Sequence, residues 1–463
     1  MKNVNVEDSV ILAPIQAHKR DVRSGRLPAE RMAVNFADMH PPLNEMQASA
    51  ETARCLFCFD APCTSACPTG IDIPGFIRKI STGNLRGAAV TILEENIMGG
   101  TCANVCPVEE LCEAVCVKHT AEHKPVTIGR LQRYATDHLF REGIQPFSRA
   151  PESGRRVAVV GAGPAGLSCA HRLALRGHAV TVFEARCKAG GLNEYGIAAY
   201  KMVDQRAARE AEFILGIGGI SLETGKSLGV DFSLADLRRN FDAVFLGLGH
   251  NAVNPLDLEH EHADGMGYAV DYIARIRQED LSSLPIGRRV IVIGGGNTAI
   301  DIAVQARKLG AEAVTLVYRR GREQMGATDF EQDLAQTRGV LIRTWASPSR
   351  VNTSDEGVRS ITFERTAINA GGQLAGTGEF FELEADQVFK AIGQHFDDHL
   401  LDSDDCPAIE NGRIRVDESR QTSLPGVWAG GDCVAGPDLT VVAVQEGKVA
   451  AESIHVFLSG ASQ

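Results

Sequence analysis

Apolar and polar residues are grouped along this chain in blocks whose order predicts its elements. Val157 to Val160 is a short β-branched run; a glycine turn, a helical stretch from Ala165 to Arg176 and a second apolar run from Ala179 to Phe183 follow. A strand, a helix and a strand in that order begin a βαβ unit. The same order recurs with a strand over Val290 to Ile293, a glycine turn, a helix over Thr298 to Leu309 and a strand over Ala313 to Val317. Upstream, Asn44 to Ala53 reads as one helical run leading into Cys55, and the rest of the N-terminal stretch as helices joined by short loops. Glu142 to Arg156 is polar and punctuated by Pro and Gly, as linkers are. Beyond Val388 the chain resembles the beginning of neither unit, and Gly430-Gly431-Asp432 looks like the closing piece of an earlier domain. The expected fold is α/β: an all-helical domain with an N-terminal extension over 1–150, a discontinuous Rossmann-like domain over 151–285 and 394–463, and a second over 286–393.

Composition changes this picture in two respects. The 463 residues, 44% of them hydrophobic and 23% charged, suit about three domains of ~150 residues. No apolar run approaches the roughly 18 to 20 residues of a membrane helix, and Met1-Lys-Asn-Val-Asn-Val-Glu-Asp lacks a secretory leader's pattern. A cytoplasmic location is the expectation. A net charge of −12 removes the electrostatic basis for nucleic-acid or anionic-membrane binding. The 12 Cys and 47 Gly are unevenly spread, and that unevenness carries the chemistry.

One group of cysteines reads Cys55-x2-Cys58-x4-Cys63-x3-Cys67-Pro68, and another Cys102-x3-Cys106-Pro107-x4-Cys112-x3-Cys116. In a reducing compartment this is metal-binding spacing, and the choice lies between four-cysteine zinc and iron–sulfur clusters. Structural zinc favours two CxxC pairs, whereas three close Cys followed by a fourth in Cys-Pro is the ferredoxin habit, in which the fourth ligates the other cluster. Two [4Fe–4S] clusters are expected. By the crossing rule Cys55, Cys58 and Cys63 take a distant fourth ligand while Cys67 joins the second set, whose ligand count the spacing leaves open.

With Pro125-Val-Thr-Ile-Gly-Arg-Leu-Gln132-Arg-Tyr, this stretch resembles the N-terminal module shared by dihydropyrimidine dehydrogenase and the small subunit of glutamate synthase, and the resemblance runs through nearly the whole chain from about residue 45. The dihydropyrimidine dehydrogenase pattern implies Cys55, Cys58, Cys63 and Cys116 on one cluster, and Cys67, Cys106, Cys112 and Gln132 on the other. Cys102 is then a bystander. A neutral amide in place of a thiolate alters a cluster's charge and potential. The glutamate synthase and transhydrogenase relatives tend to have Glu in this region, so Gln132 favours the pyrimidine branch.

Gly161-Ala-Gly163-Pro164-Ala165-Gly166 lies between a strand and a helix, and Glu184 closes the next strand 18 residues after the last glycine. The glycines allow a tight turn and close approach to a pyrophosphate, the helix N-terminus supplies oriented N–H groups, and the acid accepts from ribose hydroxyls. Gly190-Gly191-Leu192 and Gly431-Asp432 resemble the flavin motifs of two-dinucleotide-domain reductases. That resemblance implies FAD, with Asp432 on the ribityl chain, Lys201 as the basic residue near the flavin, and Thr440 opening a helix whose positive end faces the flavin. In the second unit Gly294-Gly295-Gly296-Asn297-Thr298-Ala299 has the GxGxxA form and resembles a nicotinamide nucleotide site, to which Ala391, Ile392 and Gly393 are also assigned. Tyr318 stands where the ribose-binding acid would, and Arg319 and Arg320 follow. Hydrogen bonds to charged groups contribute roughly 1.5–3 kcal/mol, so NADP(H) is expected over NAD(H). The animal enzyme's basic residue a few positions on is Gly326 here.

Cys169, Cys187, Cys406 and Cys433 are isolated, which disfavours a thioredoxin reductase dithiol, and neither HExxH nor GxSxG occurs. No side chain is assigned a catalytic role; the cofactors react and the protein orients and tunes them. The resemblance implies the electron-input subunit of a bacterial dihydropyrimidine dehydrogenase, whose partner subunit carries FMN and iron–sulfur clusters and reduces uracil or thymine. This chain has no room beside its own domains for a ~250-residue barrel. The alternatives are the small subunit of a glutamate synthase-like or transhydrogenase complex, and a zinc-stabilised nucleotide-binding module without turnover. The first ~40 residues are expected to face a partner.

Overall fold

The computed structural model describes residues 20–401 and 406–460; residues 1–19 of the expected partner-facing extension lie outside that range. The chain groups into two compact units, one of 30–254, 270–280 and 392 onward, the other of residues up to 29, 255–269 and 281–391.

The first unit begins with the cysteine-bearing helices. Glu45–Thr52 starts at Asn44, whose side chain accepts from Gln47 N while the Gln47 side chain accepts from Asn44 N, a reciprocal capping box. Ile73–Ser81 is capped by Asp72 and buries Ile73, Phe76, Ile77 and Ile80, the stripe of an amphipathic helix. Ile128–Glu142 buries Ile128, Leu131, Ala135 and Leu139 on one face, and Gln132 lies on that face with them. The helix ends at Gly143 in the left-handed conformation, and the polar linker leads to a five-stranded parallel sheet. Its order is Val427–Ala429, Ala243–Leu246, Arg156–Val160, Ala179–Glu184, Ile220–Thr224. Val157 to Val160 are all buried, the continuous apolar run of a strand covered on both faces.

The C-terminal segment returns to this sheet as its edge strand, then forms the helix Thr440–Ser459 beside Pro164–Leu175. Ser168 Oγ donates to Val444 O at 2.7 Å, and a Cβ at Gly447 would lie 2.1 Å from Ala165 O. Only glycine permits that approach.

The second unit holds another parallel sheet, ordered Val340–Arg343, Ala313–Val317, Arg289–Ile293, Gln387–Lys390, Met266–Tyr268. It is wider than the expected 286–393, for two reasons. Met266–Tyr268 pairs with Gln387–Lys390 at the sheet edge, and Val22–Arg23 pairs antiparallel with Ile286–Gly287. Between Val340–Arg343 and Gln387–Lys390 an antiparallel three-stranded sheet is inserted, formed by Ala346–Ser354, Gly357–Ile368 and Leu374–Glu384. No described helix is long and apolar enough to cross a membrane.

Candidate functional site

Cys55, Cys58, Cys63 and Cys116 line one pocket, walled by Ile73, Ile77 and Val126. Cys55 follows the end of the helix over 45–52, its N–H donating to Thr52 O at 3.1 Å, and Cys116 stands at the N-terminal boundary of the helix Val117–Glu122 without capping it through its side chain. Burial pushes the Cys63 thiol up to about 11, with the neighbouring Cys116 and Cys55 adding to the effect, and raises Cys55 in the same way. Four thiols whose ionised forms repel one another in an apolar pocket fit a cationic iron–sulfur core, which relieves that repulsion.

The second group converges separately. Cys106 faces Cys102, Cys112 and Cys67; its thiol is raised by the hydrogen bond with Cys102, then by burial and by its neighbours. Burial raises Cys112, with Glu113 and Cys67 adding to it. Cys102 is buried on the helix Gly99–Val105. The helix carrying Gln132 begins against this group, since Glu113 accepts from Gly129 N at 3.0 Å. Gln132 is buried, and its Nε2 donates to Gly99 O at 2.7 Å. That bond engages the amide nitrogen and leaves the amide oxygen out of it. An exposed helix position is ruled out for this residue.

In the first dinucleotide motif each glycine has a distinct reason. Gly161 has φ +98° and a Cβ there would lie 2.2 Å from Gly247 O, while at Gly166 it would lie 1.9 Å from Gly161 O. At Gly163 the nearest atom is Gly191 Cα at 3.8 Å, so the turn is open where a pyrophosphate would approach. Pro164 opens the helix, Ala165 is buried in its first turn, and no side chain caps its N–H groups, leaving them for phosphate. Glu184 accepts from Ala162 N and Arg186 N, both at 2.8 Å. Gly190 N donates to Ala162 O at 2.8 Å, which brings the Gly190-Gly191-Leu192 turn beside the motif.

Thr440 opens the final helix, and its Oγ1 donates to Asn193 Oδ1 at 2.9 Å. Gly431 N donates to Glu446 Oε2 at 2.6 Å. Burial pushes Asp432 up to about 6, reinforced by Asp438 and opposed by Arg413. Lys201 is buried beside the Tyr200 ring.

In the second motif a Cβ at Gly294 would lie 2.1 Å from Ala391 O and one at Gly295 2.4 Å from the Tyr318 ring, whereas Gly296 has nothing within 4 Å. Asn297 and Thr298 start a helix that no side chain caps. Ala327 N donates to Gly295 O, so the loop holding Gly326 folds over the glycine turn. Tyr318 does not face outward freely: its hydroxyl donates to Gln324 O at 2.6 Å. Arg319 and Arg320 are exposed, and among the described residues neither guanidinium has an ion-pair partner. Ala391 N donates to Ile293 O, and Ile392 and Gly393 continue from there, their carbonyls accepting from Asn254.

Two of the buried acids that the sequence reading did not name stand out. Glu210 accepts from Gly100 N at 2.8 Å, from Thr101 N and from the Thr101 hydroxyl, and so caps the helix over 99–105. Burial pushes it up to about 7 in spite of those donors. Glu446 is the other. An acid interrupting the apolar stripe of Ala207, Ala211 and Ile214 was the available signal for Glu210.

Comparison with known proteins agrees with this geometry. The family model for pyridine nucleotide-disulphide oxidoreductases matches residues 155–447. That for dihydropyrimidine dehydrogenase domain II, 4Fe-4S cluster, matches residues 32–144. The chain is 34% identical to the NAD-dependent dihydropyrimidine dehydrogenase subunit PreT of Escherichia coli (strain K12), over 92% of this chain and 98% of that one. It is also 34% identical to the NADPH glutamate synthase small chain of the same organism, over 93% of this chain and 96% of that one. Among solved structures, Mycobacterium tuberculosis FprA aligns with a TM-score of 0.54 at 20% identity, covering 67% of this chain and 85% of that one. Thioredoxin reductase from T. acidophilum gives 0.52 at 21%, covering 65% and 99%. These two show the fold alone. The chain therefore belongs to the pyridine nucleotide-disulphide oxidoreductases, in the group that joins a 4Fe–4S domain of dihydropyrimidine dehydrogenase type to the dinucleotide-binding domains, and is an NAD(P)H-dependent flavoprotein oxidoreductase.

Proposed function

We propose that this chain is the electron-input subunit of a dihydropyrimidine dehydrogenase. It takes hydride from NADP(H), in preference to NAD(H), and passes electrons through FAD and two [4Fe–4S] clusters to a partner subunit. The partner carries FMN and iron–sulfur clusters and reduces uracil or thymine to the 5,6-dihydropyrimidine. Cys55, Cys58, Cys63 and Cys116 hold one cluster; Cys67, Cys106, Cys112 and Gln132 hold the other. A flavin bound at the first dinucleotide motif would supply the chemistry that converts a two-electron hydride donor to one-electron transfer. The chain's own residues bind and orient: the open turns at Gly163 and Gly296 admit the pyrophosphates, Glu184 takes the ribose of FAD, and Arg319 and Arg320 take a 2′-phosphate.

The observation that carries this reading is Gln132, buried on an apolar helix face with its nitrogen committed to Gly99 O. A glutamine on such a face needs a partner for its oxygen, and the amide ligand is the feature that resembles dihydropyrimidine dehydrogenase. The likeness to the glutamate synthase small chain supports a second reading, in which the partner is an amidotransferase subunit.

Coexpression with an FMN- and iron–sulfur-containing dihydropyrimidine dehydrogenase subunit, followed by anaerobic turnover, decides between them. NADPH oxidation that requires uracil is the expected result. Inert uracil, with NADPH consumed by glutamine and 2-oxoglutarate in the presence of a glutamate synthase large subunit, would establish the second reading.

A further inference from the structure

Gln132 and Glu210 hold the two ends of one peptide group. Gln132 Nε2 donates to Gly99 O at 2.7 Å, and the N–H of the same peptide, on Gly100, donates to Glu210 Oε1 at 2.8 Å. Glycines on both sides of this peptide let its partners come close. A Cβ at Gly99 would lie 2.4 Å from the Ile92 side chain and 3.7 Å from Gln132 Nε2, and one at Gly100 2.6 Å from the Phe140 ring and 2.9 Å from Glu210 Oε1. Three elements supply the groups: Gln132 stands on the helix Ile128–Glu142, the peptide opens the helix Gly99–Val105, and Glu210 stands on the helix Arg206–Leu215. All four residues are buried.

A carboxylate at one end of such a chain of hydrogen bonds acts on the other end. Accepting from the Gly100 N–H, it shifts electron density toward Gly99 O; that oxygen draws harder on the Gln132 amide N–H, and the amide oxygen becomes richer in turn. The Thr101 N–H and hydroxyl also donate to Glu210 and hold the carboxylate in place. Arg206, one turn back on the same helix, favours the ionised form and is itself paired with Asp137 on the helix of Gln132. In a buried setting these charges are screened far less than on the surface.

We propose that Glu210 is a positioning residue for the second metal centre: through the Gly99–Gly100 peptide its negative charge orients the Gln132 amide and strengthens the amide oxygen as a metal donor. The inference rests on the ligand role proposed above for Gln132, and it names the group that lets a neutral side chain serve there. A stronger donor and a buried negative charge both favour the oxidised form of the centre, which carries the more positive charge. Uptake of one electron forms and breaks no bond in this chain of residues, so the effect is read in the reduction equilibrium.

The test is a redox titration of anaerobically purified holoprotein, followed by electron paramagnetic resonance, at about pH 8.5, where a carboxyl raised to about 7 is ionised. Glu210→Gln keeps the length of the side chain and removes its charge. It is expected to favour reduction of one centre about tenfold, which is about 59 mV for one electron, and to leave the other centre in place. Glu210→Asp keeps the charge on a shorter side chain, and its potential is expected nearer to wild type than to the Gln variant. A silent Gln variant beside a displaced Asp variant would make Glu210 a helix cap whose reach alone matters, and overturns the proposal. Equal displacement of both centres in Glu210→Gln overturns it too, since a general field then suffices. Should Glu210→Gln lose its iron, Glu210→Asp decides alone: the wild-type potential supports the proposal, and a tenfold gain in reduction overturns it. Each of these reversals leaves the ligand role of Gln132 standing, whereas about four iron atoms per FAD in wild type would end that role and this proposal together.

Discussion

The two dinucleotide-binding units share a strand, a glycine turn and an uncapped helix, yet they place their charges in opposite ways. In the first, the acid at the end of the second strand, Glu184, is buried and fixed by two backbone N–H groups, and Glu210 and Glu446 are buried as well. In the second, the matching position is Tyr318, tied back to Gln324 O, and the charges beside it are the exposed guanidinium groups of Arg319 and Arg320. This unit buries Glu261, Asp301 and Asp386 too, and Glu261 is bonded to Lys390 at 3.0 Å, a pairing that outweighs the effect of burial and lowers its carboxyl. Fixed interior charge suits a cofactor that stays; free surface charge suits a nucleotide that comes and goes.

The largest effects come from closing each open glycine in turn. Both Gly163→Ala and Gly296→Ala have room for the new methyl within the fold, so each blocks a ligand without disrupting its unit. Gly163→Ala is expected to yield folded protein with most of its flavin lost. Gly296→Ala keeps its flavin but raises KM for the nicotinamide nucleotide about tenfold or more, since close backbone approach at this glycine is what the turn provides. Flavin absorbance and steady-state kinetics on the pair check both, and equal flavin loss in the two variants would erase the distinction between the units.

Arg319→Ala sharpens the comparison at intermediate size. It should raise KM for NADPH about tenfold while leaving that for NADH nearly unchanged, because one charge-assisted bond to a 2′-phosphate is lost. Equal effects on both nucleotides would withdraw the 2′-phosphate role.

The smallest expected effect is on stability, through Glu210. Its carboxyl is raised from 4.5 to about 7 in the folded chain, so the folded state holds this proton more tightly than the unfolded one. That contribution is fully present below the unfolded value and is lost as pH rises through about 7. Glu210→Gln should therefore remove part of the fall in Tm between about pH 5 and 8, at most about 3 kcal/mol for a shift of this size. Identical pH profiles for the two proteins would contradict a raised carboxyl.

Local pattern carried the repeated units well. The strand Ala313–Val317 has the bounds its apolar run predicts, Ala179–Glu184 runs one residue past its expected end, and the other strands and helices of the two units begin one residue earlier than expected. Periodicity reports burial along one element, and these elements bury continuous faces. The three-stranded insertion was not read because Leu374–Glu384 is largely exposed and its polar residues give no alternating signal. Met266–Tyr268 is too short to stand out, and only its partner Gln387–Lys390 makes it a strand. Glu210 and its partner Gly100 are separated by 110 residues, a distance over which no local pattern speaks. The ligand role given to Gln132 comes only from resemblance, whereas its burial follows from sharing a helix face with Ile128, Ala135 and Leu139.

Iron and acid-labile sulfide per flavin, measured on anaerobically purified protein, test the central claim that one flavin is served by two metal centres of which one has a glutamine ligand. The account predicts about eight iron atoms and eight sulfides per FAD for wild type, and about four of each still firmly held when Gln132→Ala weakens the second site. Zinc in place of iron, or about four iron atoms per FAD in wild type with no change in the variant, would contradict it.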